Sequence, residues 1–139
     1  MDINELIFSD EAIDLIDNGT WVDDLPGAPG MELLVCGLQS QAAQDLLDKK
    51  HAAARMENGG EPITEEQHTR CLKEVLAEVV LKDWKGIDDG GKPVKYSQKL
   101  AAKWITTRNG KRFSNLVLHA AQRLDMQANK FAETIAKNS

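Results

Sequence analysis

A mainly α-helical fold, with a short N-terminal β-hairpin and a long C-terminal amphipathic helix, is predicted for this chain of 139 residues by three features. A capping-box tetrad at Thr64–Gln67 opens a stripe of apolar residues at helical spacing. Phe113, Val117, Ala120, Leu124, Ala128, Phe131 and Ile135 then recur at intervals of three and four residues. Only two short segments near the N-terminus read as extended. At 15.4 kDa, 42% apolar and 28% charged, with mean hydropathy −0.41, residues 1–139 are expected to form one soluble domain, an acidic N-terminal helix and hairpin over 1–38 and a helical body over 39–139. A folded chain of this mass exposes about 7,200 Å² and needs neither disulfide nor metal to be stable.

The elements follow from local chemistry. Ser9 caps a first helix through Asp17, with Asp10 and Glu11 in its first turn, and Asn18-Gly19 ends it. Residues 20–22 and 31–36 suit a pleated surface, and the Pro-Gly pairs at 26–27 and 29–30 turn the chain between them. Ser40 caps a helix over about residues 41–57 with Ala43, Leu46, Leu47, Ala53 and Ala54 inward, stopped by Asn58-Gly59-Gly60. The helix begun at Thr64 presents His68, Leu72, Val75 and Val79 with Cys71, Leu76 and Val80, and is read as continuing to Trp84. Residues 86–93, with three glycines and a proline, form a loop. Ser97 caps a helix carrying Leu100, Trp104 and Ile105 that stops near Asn109-Gly110, and the last helix bends near Asp125. No apolar run approaches membrane-spanning length, and no secretory signal is expected, since Asp2 and Glu5 stand where such a signal carries Lys or Arg.

Charge is unevenly distributed. Residues 1–48 hold eleven acids and no Lys or Arg, whereas from Lys92 onward there are ten basic residues against Asp125 and Glu133. Such polarity closes a monomer on itself, joins subunits, or offers a basic face to an acidic partner. Catalytic motifs fare poorly. Gly86, Gly91 and Lys92 approach a phosphate-binding loop, but Pro93 replaces the magnesium-binding Ser or Thr, Asp88 and Asp89 repel phosphate, and a helix is expected before the loop. His68 and Cys71 make at most half a zinc site. Cys36 and Cys71 read as free, partly buried thiols, and the acidic pairs at 23–24 and 88–89 as solvated turns. No enzyme activity, cofactor or metal is expected. Trp84, Trp104, Phe113 and Phe131 belong mainly to the core, although one aromatic left in a groove would receive an amphipathic helix.

The residues Leu81-Lys82-Asp83-Trp84-Lys85-Gly86-Ile87, followed by Asp89-Gly90-Gly91-Lys92-Pro93-Val94-Lys95-Tyr96-Ser97, resemble a segment of the tail assembly chaperones of long-tailed bacteriophages. Phe131 and the close Lys137-Asn138-Ser139 are similar to the end of those proteins. Gly19-Thr20-Trp21-Val22 and residues 31–36 resemble their N-terminal part. The resemblance implies a non-catalytic protein of the host bacterial cytoplasm, absent from the virion, that acts as a homo-oligomer. It would keep the tape measure protein soluble and recruit the major tail tube protein. The expected partner-facing residues are Trp104, Phe113, Leu116, Val117 and Phe131. Nucleic acid and membrane are not expected partners. The alternative is a small phage or prophage nucleic-acid-binding regulator using Lys92, Lys95, Lys99, Lys103, Arg108, Lys111 and Arg112 against phosphate. A connector retained in the particle is a third reading.

Overall fold

A computed structural model describes residues 1–138. The described residues form α1 (Asp10–Asn18), β1 (Thr20–Val22), β2 (Glu32–Val35), α2 (Gln41–Glu57), α3 (Glu65–Val75), β3 (Leu81–Lys85), β4 (Asp88–Asp89), β5 (Lys92–Pro93), α4 (Gln98–Thr106) and α5 (Lys111–Lys137). The mainly helical reading holds. Ser9, Ser40, Thr64 and Ser97 each accept a backbone N–H of the helix they open, and Thr64 and Gln67 complete the reciprocal capping box.

The hairpin is larger than expected. β1 and β2 pair antiparallel as anticipated, but β2 also pairs with β3, Leu33 opposite Trp84, so it is the centre of a three-stranded sheet. α3 stops at Val75, a single π-helical turn follows over Leu76–Val80, and residues 81–85 are a strand where the sequence suggested helix. The apolar run through residue 81 suits a buried helix and a buried strand equally, and β-branched Val79 and Val80 favour the change of conformation. The connection between β1 and β2 comprises two successive turns. Pro26-Gly27 and Pro29-Gly30 each place proline second and a glycine of φ +70° or +80° third, with Ala28 N–H bonded to Leu25 O and Met31 N–H to Ala28 O.

The principal core joins Val22, Leu33 and Val35 of the sheet to Val75, Leu76, Val80, Ile105 and Val117, while Ala12 and Ile16 of α1 form a smaller cluster with Leu124 and Ala128 of α5. Ala53 and His68, expected inward, are exposed. Each helix of the α2–α3 pair is covered on one side only, and α2 fully buries just Ala43 and Ala54. With much of α2 and the last turns of α5 uncovered, the chain exposes 9002 Å², well above the size-based expectation. Both cysteines are free and fully buried. Burial raises the pKa of the Cys36 thiol, which lies 3.5 Å from Ser40 Oγ and donates to Val79 O.

The segment 36–41 joins the sheet to α2 and is held from every side. Cys36 N–H bonds to Val80 O and Gly37 N–H to Ile16 O, while Gln41 N–H reaches the Asp17 carboxylate. Leu38 and Gln39 donate to the two oxygens of Asp125 at 2.9 and 3.2 Å. Asp125 lies on α5 and is only 6% exposed. The predicted bend comes two residues later, where Gln127 leaves helical geometry at φ −122°, ψ 24°. Burial raises the Asp125 pKa above its ordinary value, opposed by the bonds from Gln39 and Leu38. The folded chain therefore binds this proton more tightly than the unfolded chain. The contribution to stability is full below pH 3.8 and is lost as pH rises through the folded value. Asp125→Asn, which does not titrate, should gain stability relative to the wild type across that rise, as read by urea unfolding at a series of pH values. Asp125→Ala should cost about 1–3 kcal/mol by leaving both amides unmet. Gly37→Ala should cost about 2 kcal/mol or more, because a Cβ there collides with Asp125 Oδ1.

Candidate functional site

Four aromatic residues from consecutive parts of the C-terminal half form one cluster. Trp84 on β3 stacks on Trp104 of α4 with ring centres 4.9 Å apart, and meets the edges of Tyr96 and Phe113 at 5.0 and 5.8 Å. Trp104 and Phe113 meet edge to face at 5.3 Å. These are the offset and perpendicular geometries that ring quadrupoles favour. Trp84 is buried, and its indole N–H bonds to Val94 O at 2.8 Å; Tyr96 donates to Leu81 O at 3.3 Å. Burial, with the nearby Asp83 charge, raises the Tyr96 pKa. The β4–β5 hairpin bends the chain so that Val94 and Tyr96 return to β3.

Trp104 and Phe113 are half-buried and floor an open depression of about 430 Å³ with Lys103 and Asn109 at its margin. Trp84 supports this floor from below, so the exposed ring surface is held in place before any partner arrives. Exposed Lys92, Lys95, Lys99, Lys103, Arg108, Lys111 and Arg112 lie on the surrounding elements, and none belongs to an ion pair among the described residues. Arg112 instead donates to Gly27 O at 2.7 Å.

The five expected partner-facing residues do not form one surface. Val117 is fully buried and Leu116 is 9% exposed, so their side chains serve the core, a correction that follows from their places on the inward side of α5. Phe131 is half-buried but stands eighteen residues beyond Phe113 on the same helix, about 27 Å along its axis. It borders a different groove, of about 540 Å³, with Trp21, Asp23, Asp24 and Lys130. Arg123 crosses to that side, donating to the carbonyls of Asp23 at 2.5 Å and Asp24 at 3.1 Å. Trp21 reads in the sequence only as a strand residue. The joining of Trp84 and Tyr96 with Trp104 and Phe113 is hidden there too, because residues 81–84 read as the end of a helix.

The remaining motifs resolve simply. A strand, not a helix, precedes residues 86–92, which corrects one reason for rejecting a phosphate loop. Gly90-Gly91 is nevertheless the turn of the β4–β5 hairpin, and no helix opens there to receive phosphate. His68 Nδ1 lies 3.0 Å from His51 Nε2, a contact between α3 and α2, while Cys71 is buried. Burial foremost, then the His68 charge, lowers the His51 pKa. No helix among the described residues is long and apolar enough to cross a membrane.

The two stacked tryptophans differ in what they support. Trp84→Ala should destabilise the chain by about 3–5 kcal/mol in urea unfolding, the usual cost of deleting a buried aromatic. Trp104→Ala should cost visibly less, because part of that ring already faces solvent.

No curated protein and no solved structure matches this chain. The family model described as "YdaY prophage protein" matches residues 38–138, a segment that begins at the Asp125-bound junction and contains the whole aromatic cluster. With well over half of its length matched, the chain belongs to the YdaY prophage protein family.

Proposed function

We propose that this prophage protein is a non-catalytic tail assembly chaperone of the host bacterial cytoplasm, which keeps the tape measure protein soluble and recruits the major tail tube protein. The observation that carries this reading is the aromatic floor of Trp104 and Phe113, half-exposed, supported by Trp84 and edged by Lys103. A rigid apolar floor of this kind suits one face of an amphipathic helix. A tape measure protein is a long helical client whose apolar stretches aggregate unless covered. Membership of a prophage family and the likeness of residues 81–97 to the chaperones' own segment support the same reading. Uneven charge, joined between the acidic and basic ends by one ion pair among the described residues, Arg123 with Asp23, suits association of several copies along one client.

One observation favours a second reading. The seven exposed cations from Lys92 to Arg112 are free of ion pairs among the described residues and would serve a nucleic-acid-binding regulator. Salt separates the two. Affinity for duplex DNA that falls by about 10³ between 50 and 200 mM salt would favour the regulator, because six or more phosphate contacts produce such a slope.

Co-expression tests the chaperone reading. The soluble fraction of the tape measure protein should rise in the presence of this chain, and the two should co-purify. Trp104→Ala and Phe113→Ala chains that keep their helical circular dichroism should retain less than about a tenth of the client, a loss of about 1.4 kcal/mol or more. A client that stays insoluble beside an abundant folded chain would overturn the proposal.

A further inference from the structure

The N-terminal segment carries exposed aliphatic side chains on a backbone that is firmly held. Ile3 is 58% exposed, Leu6 66%, Ile7 60% and Ile13, on α1, 44%. Their exposure does not come from a loose chain. Asp2 caps the short 3₁₀ turn over Ile3–Glu5, and Asn129 of α5 fastens the backbone from Asn4 to Ser9. The Asn129 amide donates to Asn4 O at 2.8 Å and Ile7 O at 3.0 Å, and its oxygen accepts from Ser9 N–H at 2.8 Å. Phe8 turns partly inward with Ala12, Ile16 and Leu124, which leaves its aliphatic neighbours outside. Beside them runs an open groove of about 600 Å³ between this segment and α5, lined by Ile7, Phe8, Ala132 and Glu133.

The charge around this surface has one dominant sign. Asp2, Glu5, Asp10, Glu11 and Asp14 are exposed within the same fourteen residues, Glu133 stands across the groove, and no Lys or Arg occurs before residue 49. An anionic membrane would be repelled by such a rim. A second copy offers exposed cations beside the half-buried Trp104 and Phe113, but Lys99 and Lys103 lie on α4, whose Ala101 and Ile105 are fully buried, so that helix is already packed and does not lie in the groove. We propose that the acid-rimmed aliphatic surface of residues 3–13 is a docking site for a basic amphipathic helix of another protein, which lays its apolar stripe over Ile3, Leu6 and Ile7 and its cations against Asp2, Glu5 and Glu11. The surface lies N-terminal to the family match and at the other end of α5 from Trp104 and Phe113, so the proposal is independent of the chaperone reading.

The test uses the full chain and a fluorescein-labelled 18-residue peptide of lysine and leucine, with leucine at i, i+3, i+4 and i+7 spacing. Controls are a scrambled peptide of the same composition and a version with glutamate in place of lysine. Fluorescence anisotropy should show the patterned peptide binding at least tenfold more tightly than either control. A Leu6→Ser/Ile7→Ser chain should bind it at least tenfold more weakly, and Glu5→Gln/Glu11→Gln several-fold more weakly, with circular dichroism unchanged because all four side chains are exposed. Amide shifts on adding peptide should fall on residues 3–13 and 129–136. Equal binding of the scrambled peptide, no binding of the patterned one, or shifts centred on Trp104 and Phe113 would overturn the proposal. So would concentration-dependent self-association without peptide that Leu6→Ser/Ile7→Ser abolishes, since a second copy would then cover the surface. The same double variant should still solubilise the tape measure protein, and failure of the wild type to do so would leave the peptide result standing.

Discussion

A buried carboxylate meeting two backbone amides is the constraint around which the fold closes. Asp125 receives Leu38 and Gln39 N–H from the chain between the sheet and α2, and that short passage also bonds to α1 and to the π-helical turn. Burying a charged oxygen is costly unless it is hydrogen-bonded, and buried amides carry a similar cost when unmet. Each therefore needs the other. Gly37 permits the approach, because any Cβ there would occupy the space of the carboxylate. The central strand, the start of α2 and the middle of α5 are thus located together by this one polar contact.

The aromatic cluster performs the corresponding task in the C-terminal half. Trp84 is tied to its own chain ten residues later by the bond to Val94 O, so the β4–β5 hairpin and the tryptophan position each other. Trp104 and Phe113 then complete the packing from α4 and α5. Because the lower ring is buried and the upper rings are not, a single cluster provides both core cohesion and presentable apolar surface. That combination is what a binding surface needs if its shape is to exist before the partner does.

Much of this is legible where chemistry is local. Ser9, Ser40, Thr64 and Ser97 mark four helix starts because a cap is a contact between near neighbours in sequence, and the spacing from Phe113 to Ile135 marks α5 for the same reason. β3 is not legible. Its burial runs buried, exposed, half-buried, buried, exposed instead of alternating, and it joins an apolar run already begun in α3. Without β3, the third strand and the place of Trp84 against Trp104 stay hidden. Val117 and Leu116 follow the helical period of α5 as Phe113 does, and periodicity alone does not distinguish the residue at the margin of a face from those at its centre. Asp125 looks like an ordinary charge because its partners lie more than eighty residues away.

Those long separations bear on how the chain acquires its structure during synthesis. β2 emerges early but does not gain its second neighbour until residues 81–85 exist, and the amides of Leu38 and Gln39 do not meet their acceptor until residue 125 has been made. Pairings of this range require a large loop to close before they return any energy, so they form late and slowly compared with the helices around them. Through most of translation the nascent chain therefore carries an unfinished sheet edge and a junction without its anchor. A product that terminates before β3 would retain both, and with them the exposed strand surface that invites aggregation.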